Sequence, residues 1–322
     1  MKPTVFIDRK VPNEVEAYIA EHCNIEKWEQ STHIPRAMLH EKLANASGLL
    51  TAGMKIDADL LERAPKLKIV SSISVGYNHF DLAAMKERGV IGTNTPHVLN
   101  DTVADLALAL MLGTARRVAE LDRYVKDGQW KSGDGLKLFG VDVHHAKLGI
   151  IGMGRIGEAV ARRAKFGFDM DVAYFNRSRK PEAEEKLGVR FSQLNDLLAA
   201  SDFVVMLAPL TAETTKLIGH NEFKMMKPSS IFINISRGQT VDELALIEAL
   251  QSGTIAAAGL DVYEKEPIDA DHPFLQMANV LTLPHIGSAT TQTRFDMAML
   301  AAQNLVSGLS GQTPTCMVDE LK

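Results

Sequence analysis

The chain has 322 residues, enough for two domains, and its 46% hydrophobic and 23% charged residues are ordinary for a soluble globular protein. A net charge of -5 argues against nucleic acid as a main partner. Cys23 and Cys316 have no neighbouring cysteine or histidine at metal-ligand spacing, which argues against a metal site and a disulfide framework. The early polar residues and the lack of an apolar run of roughly 18 residues predict a cytoplasmic protein without a membrane partner.

Short apolar runs alternate with amphipathic segments along the first hundred residues. The predicted strands are 4–7, 48–51, 69–73 and 90–92, and the predicted helices are 13–22, 36–46, 58–64 and 82–88. Strands that alternate with helices indicate a parallel sheet with helices on both faces. These residues therefore predict a first α/β unit.

A long apolar helix is predicted from residue 103 to about residue 126, with N-cap chemistry supplied by residues 100–102. Its apolar side chains surround much of the helix, so some are expected to face a second subunit. They are Leu106, Leu108, Leu110, Met111 and Leu112. The pattern favours a homodimer, and the alternative is a central helix buried on all sides within one chain.

A glycine-rich turn near the middle of the chain joins a predicted buried strand, 148–151, to a predicted helix, 155–166. Gly152, Gly154 and Gly157 fill the pattern G-x-G-x-x-G, which permits a sharp turn, approach of the backbone to a pyrophosphate, and close packing of helix on strand. Free N–H groups at the helix start would hold the phosphate charge. The alternative is an ordinary tight turn.

A second apolar run, 172–175, ends roughly twenty residues after the glycine turn, where a dinucleotide fold makes its ribose contact. Asn176, Arg177 and Ser178 stand there, followed by Arg179 and Lys180, and no carboxylate is present to repel a 2′-phosphate. Because arginine pairs with phosphate through two parallel hydrogen bonds, NADP(H) is the preferred cofactor and NAD(H) the alternative. A solvated basic loop would carry the same charges.

The alternation resumes after the glycine turn. The predicted strands are 203–207, 231–235, 257–262 and 280–283, and the predicted helices include 194–199 and 242–251. These elements indicate a second, doubly wound α/β domain. A last amphipathic stretch, 290–309, would make the first domain discontinuous if it packs there.

Three polar residues lie just after predicted strands of the second domain, where open α/β sheets bind ligands. Arg237 could grip a carboxylate bidentately. A carboxylate at Glu266 beside the imidazole of His285 would favour the protonated ring and fix its tautomer, so that it could protonate a carbonyl oxygen. A surface arginine, a solvated acidic loop and a structural histidine are the alternatives for the three positions.

The chain resembles the D-isomer-specific 2-hydroxyacid dehydrogenases over almost its whole length. Within that family it is most similar to the glyoxylate/hydroxypyruvate reductases that also reduce 2-ketogluconate, and six segments in a fixed order carry the resemblance. The matching segments are SVGYNHFD (74–81), TVADL (102–106), GMGRIG (152–157), NISRG (234–238), GLDVYEKEP (259–267) and PHIGSA (284–289). The resemblance implies two doubly wound domains. It also implies that a Rossmann domain, 100–286, is inserted in a discontinuous flavodoxin-like substrate domain, 1–99 and 287–322.

The resemblance also implies roles for individual residues. The catalytic set falls on Arg237, Glu266 and His285, and Asn176 departs from the acidic residue of NAD-preferring relatives. Substrate contacts are expected from Val75, Gly76, Arg237 and Ser288. Cofactor contacts are expected from Thr102, Gly152, Gly154, Arg155, Ile156, Gly157, Asn176, Arg177, Ser178, Pro209, Ile235 and Asp261.

The expected function is NADPH-preferring reduction of small 2-keto acids, namely glyoxylate, hydroxypyruvate and 2-ketogluconate, to D-2-hydroxy acids, and the enzyme is expected to be a homodimer. One alternative is an NAD-linked dehydrogenase of another D-2-hydroxy acid, such as phosphoglycerate. The other is a nucleotide-sensing, corepressor-like protein without catalysis, because a fold does not fix a function.

Overall fold

The computed structural model describes residues 2–30 and 32–322. Within these residues the strands are β1 (Thr4–Ile7), β2 (Asn24–Lys27), β3 (Gly48–Thr51), β4 (Ile69–Ser72), β5 (Ile91–Thr93), β6 (Lys147–Ile151), β7 (Asp171–Phe175), β8 (Arg190–Phe191), β9 (Phe203–Met206), β10 (Ile231–Asn234), β11 (Ala257–Leu260) and β12 (Val280–Thr282). The helices are α1 (Asn13–His22), α2 (Arg36–Leu43), α3 (Ala58–Arg63), α4 (Leu82–Glu87), α5 (Asn100–Ala115), α6 (Val118–Lys126), α7 (Arg155–Phe168), α8 (Pro181–Leu187), α9 (Leu194–Ala200), α10 (His220–Met225), α11 (Glu243–Gln251) and α12 (Thr291–Leu309). None of these helices combines the length and apolar character that a membrane span requires.

The chain divides into two compact units. Unit one contains the residues up to Leu99 together with Ala289–Lys322, and unit two contains Asn100–Ser288. Each unit has one sheet in which all strand pairs are parallel. The prediction of two parallel-sheet α/β domains is therefore confirmed.

The sheet of unit one has the strand order β2-β1-β3-β4-β5, which is the flavodoxin-like order. Helix α12 packs with α1 and against β3 and β4, while α2, α3 and α4 contribute to the main core cluster of the unit. Strand β2 was not predicted because its sequence, NIEK, is mostly polar and lies exposed at the edge of the sheet. An edge strand that buries little leaves no hydrophobic run to detect.

The sheet of unit two has the order β12-β11-β10-β9-β6-β7-β8, which is the Rossmann order with one further strand. The order reverses between β6 and β9. Because the glycine turn follows β6, it lies at this switch point, where doubly wound sheets bind ligands.

The prediction of one helix over residues 103–126 was wrong. Helix α5 ends at Ala115 and α6 begins at Val118, because Arg117 adopts a left-handed conformation with a φ of 54°. Its guanidinium is held by Glu120 at 2.5 Å and by the carbonyl of Lys137 at 2.7 Å. Helix α5 also starts at Asn100, so the expected capping residues form its first turn instead.

The apolar side chains of α5 pack mainly inside unit two. Leu108, Leu110 and Met111 are buried, and Leu106 and Leu112 are half-buried. The large exposed apolar side chains of this region lie in α6 and the segment after it. They are Val118, Val125, Trp130, Leu136, Phe139 and Val141. The exposed apolar side chains that could meet a second subunit therefore lie C-terminal to the five side chains of α5 that were expected to do so.

Candidate active site

The glycine turn has the geometry that its sequence predicts. Gly152 has a φ of 107°, and a Cβ there would lie 2.5 Å from the backbone nitrogen of Ala208. A Cβ on Gly157 would lie 2.4 Å from the carbonyl oxygen of Gly152, so this glycine allows α7 to pack closely on β6. A Cβ on Gly154 meets nothing within 4 Å. The turn is tight at its two ends and open at Gly154, which leaves room for a phosphate beside the start of α7.

The loop after β7 starts with a turn in which Asn176 donates from Nδ2 to the carbonyl of Ser178 at 3.0 Å. Arg179 is engaged elsewhere, because its Nε and Nη2 atoms donate to the Glu184 carboxylate at 2.6 to 3.0 Å. Hydrogen bonds from Arg179 and Tyr174 lower the pKa of Glu184 to about 2. Nε and Nη2 of Arg179 are therefore both occupied by hydrogen bonds to Glu184.

Arg177 has a different environment. Its side chain is exposed, and it donates no hydrogen bond to any residue that the structure describes. The hydrogen bond from Thr211, and to a smaller extent the charge of Arg177, lower the pKa of Glu213. Arg177 thus lies near the loop after β9, across the switch point of the sheet.

Arg237 lies in a turn after β10 that is organised by Asn234. Oδ1 of Asn234 accepts from the N–H and the hydroxyl of Ser236, both at 3.0 Å, and its Nδ2 donates to the carbonyl of Arg237 at 3.2 Å. Nη1 of Arg237 donates to the carbonyl of Ser236 at 2.6 Å. Burial lowers the pKa of the Arg237 guanidinium and the charge of Glu266 opposes this shift, which places the two groups near each other.

Glu266 and His285 are in direct contact. Nδ1 of His285 lies 2.6 Å from Oε2 of Glu266, while Oε1 of Glu266 accepts from the backbone N–H of Tyr263 at 3.0 Å. Burial raises the pKa of Glu266, but the hydrogen bonds from His285 and Tyr263 outweigh it, so the net pKa is lowered. The carboxylate is ionised, orients the ring, and leaves Nε2 as the nitrogen that can serve a ligand.

Asp261 holds the backbone on the other side of His285. Its two oxygens accept from the N–H groups of Ile286 and Gly287 at 2.7 and 2.8 Å, and its side chain is buried. Burial raises the pKa of Asp261, while these hydrogen bonds and the charge of His285 oppose the shift. The carboxylate is therefore a structural clamp on the segment that carries His285.

The other predicted site residues lie at loops and helix starts. In unit two, Thr102 is half-buried in the first turn of α5, Pro209 is exposed after β9, and Ile235 is buried after β10. Arg155 is exposed and Ile156 half-buried at the start of α7, and Ser288 is half-buried.

In unit one, the carbonyls of Val75 and Gly76 accept from Asn94 at 2.8 Å and from Ser74 at 2.7 Å. Their N–H groups donate to none of the residues in the described part of the chain.

The protein-family model described as D-isomer specific 2-hydroxyacid dehydrogenase, NAD binding domain, matches residues 108–287 of the sequence, which is more than half of the chain. The chain belongs to this family. It is 52% identical over 312 residues to glyoxylate/hydroxypyruvate reductase B of Pectobacterium atrosepticum, which covers 97% of this chain and 96% of the relative. The corresponding reductase of Enterobacter sp. is 48% identical and covers 97% and 96%.

Two solved structures are similar over nearly their whole length. A Thermus thermophilus protein aligns with a TM-score of 0.91 at 40% identity and covers 98% of this chain and 99% of its own. The NADPH-dependent glyoxylate/hydroxypyruvate reductase of Sinorhizobium meliloti, solved with NADP and malonate, aligns with a TM-score of 0.87 at 32% identity and covers 100% and 98%.

In this member of the dehydrogenase family, two residues that shape the site were not predicted. A Cβ on Gly238 would lie 1.8 Å from the carbonyl carbon of Tyr263, so only glycine lets the Arg237 turn meet the Glu266 loop. The Tyr263 hydroxyl donates to the carbonyl of Leu283 at 2.9 Å, and burial raises its pKa to about 12. Both residues lie inside the matching segments, but nothing in the local pattern indicates these contacts.

Proposed function

We propose that this protein is a glyoxylate/hydroxypyruvate reductase that converts 2-keto acids to D-2-hydroxy acids and prefers NADPH. The observation that carries the proposal is the 2.6 Å contact between His285 and Glu266, which follow neighbouring strands of the Rossmann sheet. The names of the relatives that match over the whole chain support the same activity. We also propose 2-ketogluconate as a substrate, since its carboxylate and keto group are those of the other two acids.

Unit two fits a nicotinamide dinucleotide. The open position at Gly154 and the N–H groups at the start of α7, at Arg155 and Ile156, would hold the pyrophosphate. When bound, the dinucleotide supplies the hydride. Asn176, Arg177 and Ser178 would hold the ribose and its 2′-phosphate, and the remaining contacts are assigned to Thr102, Pro209, Ile235 and Asp261.

Three parts of the chain would act on the substrate. The Arg237 guanidinium would bind the carboxylate, helped by the N–H groups of Val75 and Gly76 and by Ser288. Nε2 of His285 would donate its proton to the keto oxygen, and Glu266 would stabilise the imidazolium before that transfer. This general acid contributes about a hundredfold to ten-thousandfold to the rate.

The NADPH preference is supported by the exposed guanidinium of Arg177 and by the absence of a carboxylate from residues 176–180. The NADP in the Sinorhizobium meliloti structure is consistent with it. We further propose a homodimer, supported by the exposed side chains of Leu136 and Phe139, which are 80% and 67% exposed. Light scattering coupled to size exclusion would measure the mass of the particle directly.

The activity is tested by initial rates with NADPH and NADH on glyoxylate, hydroxypyruvate and 2-ketogluconate, in the wild type and in His285→Ala. We expect NADPH to be preferred and kcat of the variant to fall at least about a hundredfold. If neither cofactor supports turnover of any acid, the reductase proposal is wrong and a nucleotide-sensing role replaces it. If NADH is preferred, the assignment of residues 176–178 is wrong.

A further inference from the structure

We propose that Glu243 is a positioning residue of this reaction: held by His272, its carboxylate fixes the peptide of Glu264 and so orients Glu266 toward His285. The proposal rests on the function proposed above, because it concerns the support of the same proton donor.

Glu243 is the first residue of α11, and its two oxygens serve two donors. Oε2 accepts from the backbone N–H of Glu264 at 3.0 Å, and Oε1 lies 3.1 Å from Nε2 of His272. The side chains of Glu243 and His272 are only 17% and 15% exposed. A carboxylate can accept both bonds at once, so the pairing is complete only with an acid at this position.

The ring of His272 is itself fixed. Its Nδ1 accepts from the backbone N–H of Phe274 at 3.3 Å, so the ring proton lies on Nε2 and is donated to Glu243. The ring also packs against Phe274, with centroids 4.8 Å apart, and Phe274 belongs to the main core cluster of unit two. The hydrogen-bond chain therefore starts at the rigid core and ends at the Glu264 peptide.

The backbone of Glu264, two residues before Glu266, is held by hydrogen bonds at both its N–H and its carbonyl. Its N–H binds Glu243, and its carbonyl accepts from Nε2 of Gln239 at 2.6 Å. The charge of His285 interacts with those of Glu266 and Asp261, and the charge of Glu266 also interacts with that of Arg237. Since misplacement by about 1 Å can cost about a hundredfold in rate, a loop that carries Glu266 requires such support.

Two variants cut the chain at different points, and a third is a matched control. Glu243→Gln keeps the shape but offers one acceptor to two donors, so one of the two bonds is lost. His272→Asn can still cap the Phe274 N–H but is too short to reach Glu243. Glu248→Gln makes the same chemical change on the same helix, at an exposed carboxylate that lies 3.5 Å from Nδ1 of His220 and contacts neither Glu264 nor His272 in the described part of the chain.

The full-length variants are compared in three measurements: kcat and KM with hydroxypyruvate and NADPH, the Kd of NADPH by fluorescence, and the low-field proton resonance of the Glu266–His285 hydrogen bond in cofactor-free protein. We expect Glu243→Gln and His272→Asn each to lower kcat about tenfold to a hundredfold, with an almost unchanged Kd and a weakened resonance. The double variant should be no worse than the poorer single one, because both act through one chain. Glu248→Gln should match the wild type.

An unchanged kcat and resonance in both variants would overturn the proposal. So would a loss of kcat that is matched by weaker NADPH binding and a large fall in the unfolding temperature, since that pattern indicates general damage to the fold. If the wild type reduces none of the keto acids, the proposed function fails, and the resonance alone then decides whether Glu243 orients Glu266.

Discussion

Arg177 and Arg179 lie two positions apart after β7, yet within the part of the chain that the structure describes only Arg179 pairs with another side chain. Arg179 donates to Glu184 through three contacts of 2.6 to 3.0 Å, whereas Arg177 is exposed. We predict that Arg177→Ala removes most of the preference for NADPH, and that the matched variant Arg179→Ala preserves it.

The magnitude follows from the contact that is lost. A hydrogen bond to a charged group contributes about 1.5–3 kcal/mol. Because about 1.4 kcal/mol corresponds to a tenfold change, Arg177→Ala should raise the Kd of NADPH about 10- to 150-fold. NADH carries no 2′-phosphate, so its Kd should change by less than about twofold, and Arg179→Ala should change the NADPH Kd by less than about threefold.

Fluorescence titration of wild type and variants with both cofactors measures these constants without turnover. Glu184→Gln serves as a further control, because it loosens the hold on Arg179 while Arg177 stays in place, and NADPH should bind it at least as tightly. The reasoning is refuted if Arg179→Ala causes the large loss and Arg177→Ala does not.

Three other predictions concern the fold around the site. A Cβ on Gly157 would lie 2.4 Å from a backbone oxygen, so Gly157→Ala should lower the free energy of unfolding by about 1–3 kcal/mol. A Cβ on Gly154 meets nothing within 4 Å, so Gly154→Ala should weaken NADPH binding at an unchanged melting temperature. Tyr263→Phe loses the 2.9 Å hydrogen bond to a carbonyl and should cost about 1–2 kcal/mol in denaturant titration. The folded-state pKa of Glu266 is lowered, so its ionisation stabilises the fold above the ordinary glutamate pKa, about 4.3, and this stabilisation is lost as the pH falls through the lowered value. Glu266→Gln should therefore flatten the acid side of the stability curve, and an unchanged curve would contradict this sign.

The sequence by itself determined the features that neighbouring residues encode. Alternating apolar runs and amphipathic segments indicated two parallel α/β sheets, and the glycine pattern predicted a phosphate-binding turn at the position that follows β6. The rule that ligands bind at strand ends singled out Arg237, Glu266 and His285. These signals are local, since a turn or a strand end is specified by a few adjacent residues.

The tertiary structure decided which distant residues meet. Glu184 pairs with Arg179 and not with Arg177, although the two arginines stand in the same charged stretch, which suits either a phosphate site or a solvated face. Glu243 reaches His272 only because α11 and the segment after β11 lie together, and nothing in the local sequence of either residue, 29 positions apart, indicates the contact. Such pairings depend on which strands are neighbours in the sheet, and that order is a property of the whole packed core.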